Sequence, residues 1–351
     1  MTIQHYINMP TKQRQSNIEL LRIIAMFMIL LFHANFFSLG TPSAADLSSD
    51  TIPTFIRFLG QSFCVGAVNT FVLISGWFGI KTTWKGLANL LFQCFFIMVL
   101  VYAACIGLGI TSFSIEGIKA CLMLTTDFWF IKAYIGLFLL SPFLNAYIEK
   151  TSNRQLISFL VVFYIFQTIY GWVVNAAEFI QGGYSTFSFV GLYVLARTCR
   201  INSEKLSKYK GSFYGFAYLI LIILIALIAI FGIYTGKSAF CSMMYAYSNP
   251  LVIASSMLLV YWFSTFSIQS KIINWVAASS LTVYLIHMHY YVKNLYRNEI
   301  TDLWTSYSHL TAILLIIVLC IGVFVLSVLV DKIRIACWNY ILKLQSNKEK
   351  I

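Results

Sequence analysis

The sequence predicts an all-α, polytopic membrane protein with about ten transmembrane helices and both termini in the cytoplasm. Three observations carry that reading: composition, the recurrence of long apolar runs, and the placement of charge. Of 351 residues, 60% are hydrophobic and 10% charged, with a mean hydropathy of +0.80. A soluble domain carries about a quarter charged residues. A helix needs about 20 apolar residues to cross about 30 Å of hydrocarbon, and apolar runs recur ten times, near residues 18–39, 63–80, 87–108, 128–148, 156–174, 184–199, 212–234, 247–266, 273–292 and 310–330, the sixth being short. Seventeen Lys and Arg fall in alternate loops on one side, among them Lys12, Arg14, Lys81, Lys85, Arg197, Arg200 and Lys332. Five fall on the other: Arg57, Lys119, Lys237, Lys293 and Arg297. The positive-inside rule puts the first side in the cytoplasm. The net charge of +12 is therefore a topology signal rather than a mark of a nucleic-acid partner.

Residues 1–16 form a cytoplasmic segment, 17–335 a single transmembrane domain, and 336–351 a cytoplasmic tail. The flank Lys12-Gln13-Arg14 leads into a span too long for a signal h-region, so the first segment is expected to stay as a membrane helix. The longest external connection, residues 40–61, contains Asp46, Asp50 and an amphipathic piece over 52–59. It is either a lid facing the substrate or a plain connector. The eight cysteines lie mostly in or beside apolar runs and form no C-x-x-C pair, so they read as packing residues. The His-Glu-x-x-His pattern of an intramembrane metalloprotease is absent, and no metal site is expected.

The first helix carries the chemistry. Eleven residues at about 100° each bring Arg22 and His33 to one face of an ideal helix, about 16 Å apart along its axis. Ionisable groups inside a bilayer are costly and face a cavity or a partner. Histidine changes charge near neutral pH, so His33 is the candidate base or a nucleophile that is transiently acylated, or alternatively a hydrogen-bonded packing residue. Arg22 either meets an anionic group or snorkels with Glu19, three residues away, as counter-ion. His287 and His289 point about 160° apart on a helix. They cannot share a cavity unless the segment unwinds; His289 is expected at the interface.

Four blocks resemble those of the acyltransferase-3 family of integral-membrane O-acyltransferases. The first is Asn17 to Ala25 with His33 following. The others are Thr70-Phe71-Val72-Leu73-Ile74-Ser75-Gly76-Trp77-Phe78, Phe128 to Tyr134 running on to Leu140-Ser141-Pro142, and Ser280-Leu281-Thr282-Val283-Tyr284-Leu285-Ile286-His287. The resemblance covers residues 17–330. It implies transfer of an acyl group, commonly acetyl, from cytoplasmic acyl-coenzyme A to a hydroxyl of a cell-surface or lipid-linked saccharide, in a bacterial inner membrane. Acetyl-coenzyme A is then a substrate, no cofactor is permanently bound, and the partners are the donor, a glycan or lipid-linked sugar, and membrane lipids. Arg22 and His33 match the family's essential pair. Where many members have Arg-x-x-Arg, this chain has Lys81-Thr82-Thr83-Trp84-Lys85, so Lys81 and Lys85 are the candidate coenzyme contacts. Asp46 or Asp50 matches an acidic residue of the first external loop.

Trp129, Tyr134 and His287 are the remaining candidates for substrate contact. Trp129 and Tyr134 either stack on a sugar or join the aromatic belt. Lys132 either snorkels or meets the acceptor, and Arg197, Arg200, Lys205, Lys208 and Lys210 form the most basic loop, a topology or lipid contact. A transporter for a lipid-linked saccharide is the rival reading; the absence of repeated halves and the concentration of ionisable groups in one helix weigh against it.

Overall fold

A computed structural model describes residues 15–125, 127–175, 177–206 and 209–348. Lys12, Arg14, Lys208 and Lys350 of the charge pattern lie outside the described residues, as does most of the N-terminal segment. Among the described residues the regular structure is entirely helical. Seven helices are long and apolar enough to cross a membrane: Ser16–Phe37, Thr51–Phe78, Trp84–Gly107, Trp129–Lys150, Asn153–Val173, Gly211–Tyr234 and His309–Ser346. The protein is an integral membrane protein.

Three of the ten expected spans are shorter than a full crossing. Thr186–Ile201 has 16 residues and Pro250–Ser264 has 15. The run at 273–292 is not one helix but Lys271–Ala277, then Ser280–His287, then a turn into Lys293–Ser306. The break is stabilised by distant side chains. Lys332 Nζ donates to Ser279 Oγ at 2.8 Å, and Thr282 Oγ1 donates to Asp331 Oδ1 at 2.7 Å. Broken helices persist in membranes where side chains re-satisfy the polar groups they free.

The expected loop at 40–61 is also shorter than its sequence suggests. The amphipathic piece at 52–59 is the first part of the helix Thr51–Val65, which Gly66 joins to Ala67–Phe78. Gly66 is confined by Ser256. A Cβ there would lie 2.6 Å from Ser256 Oγ, which donates to the Gly66 carbonyl at 3.0 Å. At the other end of the chain, His309–Lys348 runs unbroken through the boundary expected near residue 336.

The helices group into two compact units. The first takes residues 1–25, 65–81 and 132–277. Its helices approach closely through glycine: a Cβ at Gly76 would lie 2.7 Å from the Tyr193 carbonyl oxygen, and one at Gly191 would lie 2.1 Å from the Phe163 ring. Small residues at helix contacts are the membrane substitute for a hydrophobic driving force. Several of its buried side chains bond to neutral partners. Asn69 Nδ2 donates to the Tyr247 carbonyl at 2.9 Å, and Tyr193 O–H donates to Asn145 Oδ1 at 2.6 Å.

The second unit takes residues 26–64, 82–131 and 278–351. Thr83 caps its helix Trp84–Gly107 by accepting the Gly86 N–H at 3.0 Å. Its buried centre is ionic. Asp331 is fully buried and Arg334 is 4% exposed. Arg334 Nε and Nη2 grip both carboxylate oxygens of Asp331 at 2.9 Å each. Gln93 Nε2 donates to Thr282 Oγ1 at 2.9 Å, and Arg334 Nη1 reaches Asn89 Oδ1 at 3.2 Å. Every charge in this cluster has a partner, the condition under which a buried ion pair is tolerated.

Candidate functional site

The first helix is α-helical over Ser16–Phe32 and widens into a π-turn over His33–Phe37. π-Turns are rare and recur at functional sites. Side chains of the second unit hold this one. Ser38 Oγ donates to the His33 carbonyl at 2.7 Å, and Tyr296 O–H donates to the Leu30 carbonyl at 2.9 Å. Asn35 and Arg57 make a reciprocal pair: Asn35 Nδ2 donates to the Arg57 carbonyl at 2.7 Å, and Arg57 Nε donates to Asn35 Oδ1 at 3.1 Å.

This turn carries the half-buried His33 ring to His287, Nδ1 to Nε2 at 2.9 Å. His287 is fully buried, and its Nδ1 lies 2.6 Å from the Val283 carbonyl oxygen. A carbonyl only accepts, so His287 Nδ1 carries its proton. In the neutral ring Nε2 then holds a lone pair, which accepts the Nδ1–H of His33. The chain of tautomers ends at His33 Nε2, which keeps a lone pair for an incoming proton. Tyr284 and Tyr296 pack against His287 at ring distances of 6.0 and 5.7 Å. Phe128 and Phe130 each flank Tyr284 at 5.8 Å. His287 is thus seated among aromatic rings.

The other residues singled out from sequence are placed separately. Arg22, 28% exposed at its side chain, lies with Nη1 3.2 Å from Glu19 Oε2, the pairing that i,i+3 spacing allows. Lys81 and Lys85 are exposed on either side of the start of Trp84–Gly107. Asp46 closes a capping box, accepting the Ser43 N–H at 2.7 Å and its hydroxyl at 2.8 Å. Those two bonds hold its carboxyl below the usual carboxylate range. Asp50 caps the end of the same short helix. Trp129 starts the helix Trp129–Lys150 and meets Phe130 edge to face at 6.0 Å. Tyr134 O–H lies 3.0 Å from Ser75 Oγ in the first unit, and Lys132 is exposed.

His289, expected at the interface, is fully buried. The helix ends at His287, so the segment does unwind between the two histidines. The result separates them: His289 Nε2 donates to the Met98 carbonyl at 3.3 Å. Sequence reasoning did not foresee the contact of His33 with His287, the support from Tyr296, or the clamp of Asn35 on Arg57. Arg57 entered the sequence reading as an external charge within the amphipathic piece 52–59, without a role of its own. An arginine followed by apolar Phe58 and Leu59 was the available signal that a helix, not a loop, carries it.

Fold and site define an integral membrane protein whose helices hold a hydrogen-bonded histidine pair among aromatic rings. The family model described as an acyltransferase domain, that of the acyltransferase-3 family, matches residues 15–332, and the chain belongs to this family of integral-membrane acyltransferases. It is an acyltransferase. No curated protein and no solved structure matches the chain.

Proposed function

We propose that the protein is a membrane O-acyltransferase, acetyl being the group moved, that takes it from cytoplasmic acyl-coenzyme A to a hydroxyl of a cell-surface or lipid-linked saccharide. The setting proposed is a bacterial inner membrane with both chain termini in the cytoplasm, as the charge asymmetry requires. The observation that carries the reading is the free lone pair of His33 Nε2, fixed by the 2.9 Å contact to His287 and the 2.6 Å bond to Val283.

In this mechanism the acceptor hydroxyl attacks the thioester carbonyl while His33 Nε2 takes its proton. The C–O bond forms and the carbonyl electrons move to oxygen. Collapse of the tetrahedral intermediate breaks the C–S bond, and the proton on His33 passes to the departing thiolate. His287 keeps His33 in the tautomer that accepts at Nε2 and stabilises the imidazolium between the two steps. Arg22, Lys81 and Lys85 are the groups proposed to meet phosphates of the donor; a lysine does so as a point charge. Trp129, Tyr134 and Asp46 are the proposed acceptor contacts, with Trp129 offering a ring for stacking.

The test is transfer of radiolabelled acetyl from acetyl-coenzyme A to envelope glycan extracts by the purified protein in nanodiscs. Label on a glycan, lost in a folded His33→Gln variant, is expected. A wild type inert with every acyl-coenzyme A and extract, or a variant as active as wild type, overturns the reading.

A further inference from the structure

Arg57 lies in the membrane-spanning helix Thr51–Phe78, half-buried, and takes part in no ion pair among the described residues. The ion pairs found there join Arg22 to Glu19, Lys293 to Asp127 and Arg334 to Asp331. A cation without a direct ion-pair contact in such a segment is expensive and marks a candidate functional position. Its guanidinium is nevertheless fixed on three sides. Nε donates to Asn35 Oδ1 at 3.1 Å, Nη2 donates to the Gly40 carbonyl, and the plane lies over Phe36 at 5.7 Å and Trp304 at 5.4 Å. Asp46, in the adjoining short helix, acts on the guanidinium through space without touching it, its Oδ2 accepting from Ser43. Nη1 therefore keeps both N–H groups with no protein acceptor among the described residues. Asn35 and Phe36 belong to the same π-turn as His33, so the oriented cation and the base are held by one turn of one helix.

We propose that Arg57 is an anion subsite beside His33 and that it takes an oxyanion borne by the acceptor, the carboxylate of an acidic sugar or the phosphate that joins a sugar to a lipid. The assignment to an acceptor rests on the acyl-transfer reading above. The anion site itself rests only on the geometry. A planar guanidinium gripped along one edge presents its remaining donors in a fixed direction, which a flexible ammonium cannot do. The subsite would thus select among acceptors as well as attract them.

The test uses full-length protein in nanodiscs and four probes: methyl glucuronide, glucose 1-phosphate, methyl glucoside and coenzyme A. Binding is measured by microscale thermophoresis for wild type, Arg57→Gln, Arg57→Lys and His33→Gln. At least one charged sugar should bind about tenfold or more tighter than methyl glucoside, the worth of one hydrogen bond to a charged group. Whichever charged sugar is preferred identifies carboxylate or phosphate. Arg57→Gln should erase the preference and Arg57→Lys reduce it; the lysine variant decides the matter alone if the glutamine variant does not fold. His33→Gln should keep the preference in full, so loss of acyl transfer and loss of the anion site are read separately. The proposal is overturned if charged and neutral sugars bind wild type alike or if the Arg57 variants keep the preference. It is also overturned if coenzyme A alone loses affinity in them, which would place Arg57 on the donor.

Discussion

The two units handle buried polarity differently. In the first, side-chain amides and hydroxyls bond to backbone carbonyls or to one another: Asn17 to Phe263 at 3.0 Å, Asn69 to Tyr247 at 2.9 Å, Asn145 to Ile80 at 3.0 Å. In the second, titratable side chains meet each other: His33 with His287 and Arg334 with Asp331 in its interior, and Lys293 with Asp127 at 2.7 Å where both are partly exposed. Neutral bonds and glycine contacts hold helices together at small cost. Placing charges in a membrane costs more and is retained where charge has work to do. The first unit reads as a helix-packing scaffold, although Arg22 and Glu19 belong to it, and the second as the carrier of the proton chemistry.

If that contrast holds, the largest effect belongs to His33. His33→Gln should lower acetyl transfer by about 10²–10⁴-fold, the range of lost general-base catalysis, with an unchanged elution profile in size exclusion. Asp331→Ala should come next. It leaves Arg334 buried without a counter-ion, a loss of about 3–5 kcal/mol, visible as a lowered thermal denaturation midpoint. Because Asp331 also holds Thr282, on the helix that ends at His287, activity should fall with stability.

His287→Phe sharpens the contrast within the second unit. It keeps an aromatic ring but removes the acceptor of the His33 Nδ1–H, so kcat should fall about 10–100-fold for one hydrogen bond to a group that becomes charged. The KM for acetyl-coenzyme A should be unaltered, and the pH–rate profile should move. In the first unit, Gly76→Val should cost about 1–3 kcal/mol by overpacking against Tyr193, while kcat per folded molecule is unchanged. A fall in kcat of the folded fraction would erase the division of labour between the units.

The smallest effect is expected at Asp46. Its carboxyl is held below the usual range by Ser43, so its contribution is present above the unfolded pKa and disappears as pH falls through the lower folded value. Exposure reduces that contribution to about 0.5 kcal/mol or less. Hydrogen exchange of the loop at pH 7 should be faster in Asp46→Asn than in wild type, and the two should converge in acid.

Much of the fold was legible because continuous apolar length reports directly on the thickness of hydrocarbon. The runs at 87–108 and 212–234 correspond closely to Trp84–Gly107 and Gly211–Tyr234. The run at 273–292 misled because its breaks depend on Asp331 and Lys332, about fifty positions away. Ser279, Ser280 and Thr282 within it were the local trace of that dependence. Arg57 misled in the opposite direction. Its charge was counted with an external connection, yet Asn35, Gly40 and two aromatic rings make it compatible with a long apolar helix.

The sequence by itself determined the membrane setting, the helical class and the family, since all of these follow from composition, run length and residue order, and it nominated His33 and Arg22. Only the tertiary structure decided what His33 touches. Its partner lies 254 residues away on a helix that ends at the partner itself, and the turn that aims His33 is a π-turn supported by Ser38, Asn35 and Tyr296. Local bonds such as that of Ser38 to the His33 carbonyl are joined there by side chains from distant segments, Arg57 and Tyr296. The direction of a proton acceptor is a tertiary property, because the hydrogen bond that fixes its tautomer comes from elsewhere in the chain.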